Sequence, residues 1–267
     1  MNPAAAPLWL LGVYLFLARP EARTYRPFGW IYCSLVILMI ATKAKVYYLS
    51  PIYPVLFAGG AVCAERLLKS QIWKWVRPVY ASLLVAFGLI GLPFALPVLP
   101  IDRFIAYQDR LGMKPKAEEI TRVGALPQSY ADQFGWEELV GQIAGAYNAL
   151  TPEEQAQCVI FLRNYGQAGA VDFFGKKFGL PNALCAHNSY WLWGPGTRTG
   201  AVSIVVGVHR TLEEDLEDLR GPFEEVTLVG TTESQYAMPF EVGRQIFLCK
   251  RMKTTFQTIW PAERFYI

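Results

Sequence analysis

Four stretches without a charged side chain, Met1–Ala18, Pro27–Thr42, Val46–Ala64 and Pro78–Ile101, crowd the first hundred residues and restrict what this chain can fold into. A bilayer core about 30 Å thick is crossed by roughly 20 apolar residues in helix, within a range of about 17–25. The third and fourth stretches meet that length, while the first two sit near its lower edge. The pattern predicts four transmembrane helices, over about 3–18, 27–42, 46–65 and 78–99. A cleaved signal peptide accounts poorly for the first stretch, because no basic residue precedes Pro7 and three further apolar stretches follow. The chain is 53% hydrophobic and 18% charged, and the excess sits in this region. Residues 101–267 have the make-up of a water-soluble domain with its own core.

Charge divides along the same line. Residues 1–100 carry nine Lys and Arg against two acids, a net of +7, and the chain total of +3 leaves the remainder at −4. Arg19, Arg23 and Arg26 lie between spans one and two, and Arg66, Lys69, Lys74 and Arg77 between spans three and four. Cations in short alternate loops mark the cytoplasmic side. The expected topology therefore places Lys43, Lys45 and everything after Ile101 outside the cytoplasm, as in a multi-pass protein of a bacterial inner membrane with a periplasmic C-terminal domain. Trp9, Trp30, Trp73 and Trp75 stand near span ends, where aromatic belts form. A basic half can signal nucleic-acid binding, but cations confined to loops between apolar spans argue for membrane topology instead.

In the second region, the spacing of Trp136, Leu139, Val140, Ile143 and Tyr147 predicts a helix. Thr151-Pro152-Glu153-Glu154 reads as a capped helix start. Cys158–Leu162, Val202–Val208, Val226–Val229 and Ile246–Cys249 read as strands, with helices over 166–178 and from Thr211 to the Gly221-Pro222 stop. Short helices are expected over 103–112 and around 117–121. Strands alternating with helices predict an α/β domain with a mainly parallel sheet in three layers, its last strand open to either direction. Cys158, Cys185 and Cys249 would be exported together, so at most one disulfide is expected, and no cysteine has metal-ligand spacing.

Lys43-Ala44-Lys45-Val46-Tyr47-Tyr48-Leu49-Ser50-Pro51-Ile52-Tyr53-Pro54 gathers two cations and three tyrosines at the outer start of span three. Ionisable groups at membrane depth usually serve function, although snorkelling lysines and an interfacial tyrosine belt explain the same composition. Lys45-x-Tyr47-Tyr48-Leu49-x-Pro51-x-Tyr53-Pro54, followed by Ala58-Gly59-Gly60-Ala61, resembles a segment of glycosyltransferase family 39, which includes protein O-mannosyltransferases and lipid A aminoarabinose transferases. The likeness extends through Leu96–Pro100, Leu126-Pro127-Gln128, Ala131–Glu137, Asn164-Tyr165-Gly166 and His187–Gly194.

That resemblance implies a GT-C enzyme moving a sugar from a polyprenyl-phosphate carrier to an acceptor at the outer membrane face, among membrane lipid. By matched position, Lys45 and Tyr48 are the first candidates for donor-phosphate contacts and Lys43 and Tyr47 the second. The chain departs from the family in one respect. The family's catalytic carboxylate lies in an N-terminal transmembrane half, whereas the four spans here contain no acid, and Glu21 and Glu65 fall in expected cytoplasmic loops. The expectation is a C-terminal part with no catalytic residue and no metal site of its own, inactive without the missing half. Any divalent metal would belong to the full-length enzyme.

The second expectation is a membrane-anchored extracytoplasmic module that binds glycans or a partner. Under either expectation His187, Asn188, Trp191 and Trp193 are candidate acceptor or sugar contacts, since aromatic faces stack on sugar rings and Asn or His bonds hydroxyls; the same loop also reads as a plug against the membrane part. Asn164-Tyr165-Gly166-Gln167 falls at a strand-to-helix turn, where open α/β sheets bind ligands. The absence of G-x-G-x-x-G there argues against a nucleotide.

Overall fold

A computed structural model describes residues 2–68, 74–115, 123–209 and 211–266. Lys69, Trp73 and the expected helix around 117–121 lie outside the described residues. The chain divides into two compact units, Met1–Gly112 and Met113–Ile267.

The first unit holds α1 (Ala6–Ala18), α2 (Arg26–Thr42), α3 (Tyr53–Leu67), α4 (Val76–Ala95) and α5 (Ile101–Arg110). Short 3₁₀ segments precede α1, α2 and α3, at Pro3–Ala5, Pro20–Tyr25 and Val46–Ile52. Among the described residues three helical stretches are long and apolar enough to cross a membrane: Pro20–Thr42, Tyr47–Leu67 and Val76–Ala95. The expected first span is not among them. It is present as a shorter apolar helix over Pro3–Ala18, in which a 3₁₀ turn at Pro3–Ala5 leads directly into the 13 residues of α1. The apolar side chains of the long helices face outward, with Ile37, Ile40, Val85 and Leu89 all more than 60% exposed. Such a surface suits lipid rather than water.

Helices α1 and α3 pack through small residues. A Cβ on Gly12 would lie 2.0 Å from the Leu56 carbonyl oxygen, and one on Gly60 would lie 1.8 Å from that of Leu8. Backbone contact this close is how transmembrane helices gain packing energy where lipid competes equally for apolar side chains. Trp9 meets Tyr53 at 5.9 Å, Gly12 meets Leu56, and Arg66 pairs with Glu21 at 3.1 Å. The contacts advance together along both helices, so α1 and α3 run in the same direction and α2 returns between them.

The second unit contains α6 (Gln128–Ala131), α7 (Trp136–Asn148), α8 (Pro152–Gln157), β1 (Cys158–Leu162), α9 (Tyr165–Phe174), β2 (Leu184–Cys185), β3 (Val202–Val206), α10 (Leu212–Arg220), β4 (Phe223–Thr231), β5 (Gln245–Met252) and α11 (Phe256–Ile259). Alternation of strand side chains builds two cores. Ile160, Leu162 and Ile204 face Leu139, Val140 and Val171 of α7 and α9. Val159, Phe161, Val205 and Phe247 face Leu219 of α10 and Phe256 of α11.

Strand order is β2-β1-β3-β5-β4. β2, β1 and β3 are parallel, but β5 is antiparallel to both β3 and β4. The sheet is therefore mixed, not mainly parallel. Alternating helices and strands do fix β3 and β4 in one direction, joined over α10. That crossover leaves a slot, and β5 fills it because 232–244 holds no helix to carry a parallel return.

Candidate functional site

Two places concentrate polar and aromatic groups. The first is the turn between α2 and α3. The Thr42 hydroxyl donates to the Leu38 carbonyl at 2.8 Å, closing the last turn of α2. Lys43 then takes a left-handed conformation, φ 52 and ψ 36. The Ala44 N–H reaches the Met39 carbonyl at 3.0 Å and the Lys43 N–H reaches that of Ile40 at 3.4 Å. These paired bonds form a Schellman stop, whose left-handed position is usually glycine. A lysine there costs about 1–2 kcal/mol of backbone strain. Strain at a polar turn is a mark of functional sites.

Lys45 is extended, φ −70 and ψ 131, and opens the 3₁₀ segment that carries Tyr47 and Tyr48. The two rings meet edge to face, centroids 4.7 Å apart. Tyr47 is 50% exposed and Tyr48 57%, and Lys43 is also exposed, whereas Leu49 beside them is buried. The fold thus brings all four expected phosphate contacts into one six-residue turn at the end of two apolar helices.

The second place is a cavity of about 520 Å³ in the second unit. It is lined from the ends of β1, β2 and β3 by Asn164, His187 and Gly207, and from elsewhere by Phe240, Glu241, Arg244, Arg264 and Phe265. Parallel α/β sheets bind ligands outside the carboxyl ends of their strands, where strand order reverses. Here β1 sends the chain through α9 to β2 on one side, then to β3 on the other, so the cavity occupies that switch point. Its floor is fixed by local bonds. Asn164 caps α9, its side-chain oxygen accepting the Gly166 N–H at 2.6 Å. Buried Asp215 accepts the N–H groups of Val208 and His209, both at 2.9 Å, and stands so close to Gly207 that any side chain there would collide with it.

His187 is 2% exposed, packed between the rings of Tyr165 and Phe265. Its Nδ1 accepts the Tyr165 N–H at 3.4 Å, which places the imidazole hydrogen on Nε2, a buried atom with no partner among the described residues. Burial lowers the pKa of His187 and favours this neutral form. Glu241 shows the opposite shift: burial holds its carboxyl above the ordinary glutamate range, although Gln167 donates to it at 2.7 Å and Arg244 lies near.

The other expected glycan contacts are spread over different tasks. Asn188 is left-handed, φ 51, and its N–H donates to the Phe265 carbonyl at 2.8 Å. Trp191 and Trp260 each donate an indole N–H to the other's carbonyl, at 2.9 and 3.0 Å, which locks the loop to α11. Trp193 is 71% exposed and packs on Tyr190, away from the cavity lining. Arg264 and Glu241 carry no periodic or motif signal and reach the cavity only through tertiary folding.

No family of proteins, no curated protein and no solved structure matches the chain. Among the described residues, no group of three or more His, Cys, Asp and Glu is placed to hold a metal ion.

Proposed function

We propose that this chain serves a membrane glycosyltransferase of the polyprenyl-phosphate class, contributing the contacts to the donor phosphate. The supporting observation is the strained turn: Lys43 held left-handed, Lys45 next to it, and the exposed Tyr47–Tyr48 pair, all at the end of membrane-length apolar helices. A phosphate diester at that depth would take charge-assisted hydrogen bonds from the lysines and neutral ones from the phenols. In this reading Lys45 and Tyr48 make the primary contacts, Lys43 and Tyr47 support them, and the turn faces the extracytoplasmic side. The carboxylate for sugar transfer comes from outside the sequence present here.

The test is donor binding. The chain, reconstituted in vesicles containing a polyprenyl-phosphate sugar, should bind it, and Lys45→Ala and Tyr48→Phe should each weaken binding, the lysine change by about tenfold or more. Affinity unchanged in both variants would sink the reading.

The cavity at the sheet's switch point favours a second reading, a membrane-anchored domain that binds glycans outside the cytoplasm. Glycan binding by the chain that is insensitive to Lys45→Ala and Tyr48→Phe, with no donor binding, would select it.

A further inference from the structure

We infer that the cavity at the carboxyl ends of β1, β2 and β3 binds a small sugar bearing a carboxylate or a phosphate, with Arg264 as the contact for the anionic group. The inference is independent of the donor-phosphate reading, since it concerns a different unit of the chain.

Among the described residues three arginines line the cavity, and they differ in what they already do. Arg163 is paired with Asp218 at 3.0 Å. Arg244 commits its Nε and Nη1 to backbone carbonyls, donating to Phe240 at 2.6 Å, to His209 at 2.9 Å and to Val208. Arg264 is different: its guanidinium lies over the rings of Trp191, at 5.3 Å, and Tyr266, at 4.8 Å. It makes no ion pair and donates to no acceptor among the described residues. Two aromatic rings thus hold the guanidinium in place while its N–H groups keep their donor capacity. A planar fork of donors held this way fits the oxygens of a carboxylate or phosphate bidentately.

The rest of the lining suits a hydroxylated ring. Asn164 uses its side-chain oxygen on Gly166 and keeps its amide N–H groups; Gln167 uses its N–H on Glu241 and keeps its oxygen. Glu241, biased toward its neutral form by burial, can both donate to and accept from a hydroxyl. Phe240 and Phe265 supply apolar faces for the C–H side of a sugar. At about 520 Å³ the space falls within the roughly 300–1,000 Å³ of small-molecule sites.

The experiment is calorimetric titration of the full chain in detergent with D-glucuronate, D-glucose 1-phosphate and neutral D-glucose. At least one anionic sugar should bind saturably and at least about tenfold more tightly than glucose. Arg264→Gln should weaken that binding by about tenfold or more without moving the unfolding temperature, because Arg264 is exposed. Ala262→Trp, adding bulk at an exposed position of the lining, should block binding while leaving Arg264 in place. Preference for glucuronate would identify a carboxylate ligand and preference for glucose 1-phosphate a phosphate ligand. Absence of saturable binding by either anionic sugar in the millimolar range, equal affinity for glucose, or full binding by Arg264→Gln would overturn the inference.

Discussion

Arg66 at the end of α3 pairs with Glu21 in the connection between α1 and α2, Nη1 to Oε1 3.1 Å. The pair joins two loops that the distribution of cations assigns to one side of the membrane, and parallel packing of α1 and α3 requires the same arrangement. As an exposed ion pair it contributes at most about 1 kcal/mol; its value is topological. Cysteines replacing Glu21 and Arg66 should react with an impermeant maleimide from the same face of sealed vesicles, and a cysteine replacing Lys43 from the opposite face. Labelling of all three from one face would contradict a membrane-crossing α2.

The α1–α3 contact makes a sharp steric prediction. Gly60→Ala places a methyl 1.8 Å from the Leu8 carbonyl oxygen, a backbone atom that cannot rotate away. Overpacking of this kind costs typically about 1–3 kcal/mol. At Gly91, nothing lies within 4 Å of the added carbon, so Gly91→Ala should be neutral or slightly stabilising through helix propensity. Thermal unfolding of the two variants in detergent should separate them, Gly60→Ala falling well below wild type and Gly91→Ala not.

Lys43 should trade stability for function. Glycine adopts the left-handed conformation without penalty, so Lys43→Gly should relieve about 1 kcal/mol of strain and raise the unfolding temperature. If the lysine supports donor-phosphate binding, the same variant loses affinity for a polyprenyl-phosphate sugar. A variant both less stable and unchanged in binding would leave the left-handed lysine without either role.

Much of this fold is legible in the residues, and the failures have physical causes. Thr151 and Glu154 announce the start of α8, and the structure has both capping bonds. Cys158–Leu162 reads as a strand and is one: a five-residue apolar run is too short for a core helix, and all five residues are buried in a sheet covered on both faces. What a local pattern does not carry is which strand lies beside which: β5 slips between β3 and β4, and nothing within Gln245–Met252 itself records that slot. The first expected span has its apolar helix over Pro3–Ala18, but that helix is shorter than the three membrane-length stretches, because Pro20 does not let it run on. The site divides likewise. Asn164 was visible from its place at a strand-to-helix turn, and His187 from its aromatic loop. Arg264 was not, because its value lies in two rings, Trp191 and Tyr266, only one of which is its neighbour in sequence.

The cysteines of the second unit should be chemically silent. Cys158, Cys185 and Cys249 are free thiols, each 5% exposed or less, and burial pushes their pKa values up to about 12, 11 and 12. Thiolate is the reactive species, so alkylation at pH 8 should be very slow in the folded protein and complete after denaturation. Mass spectrometry after brief iodoacetamide treatment should find all three unmodified in the native state. Rapid native labelling of Cys249, on the central core face, would show that the sheet opens.

Glu241 makes the stability of the second unit depend on pH in a direction opposite to that of a paired surface acid. Burial raises its folded pKa above that of an exposed glutamate, so the folded chain keeps a proton that the unfolded chain releases. The stability linked to that proton is fully present below the ordinary glutamate value and is lost as pH rises through the raised folded value. His187 adds its own slope: its pKa is lowered, so stability linked to its neutral form is present above the ordinary histidine value and is lost as pH falls. Glu241→Gln removes the first effect and leaves the second, and glutamine keeps an oxygen to accept from Gln167. Wild type and Glu241→Gln should therefore unfold at similar temperatures in mild acid. From there to neutral pH the variant should become progressively the more stable of the two. About 1 kcal/mol moves the unfolding of a domain of this size by roughly 2–4 °C, within reach of a scanning fluorescence measurement. A gap that stayed constant across the range, or opened in favour of wild type at neutral pH, would mean that the carboxylate at the cavity wall is solvated or paired in its charged form.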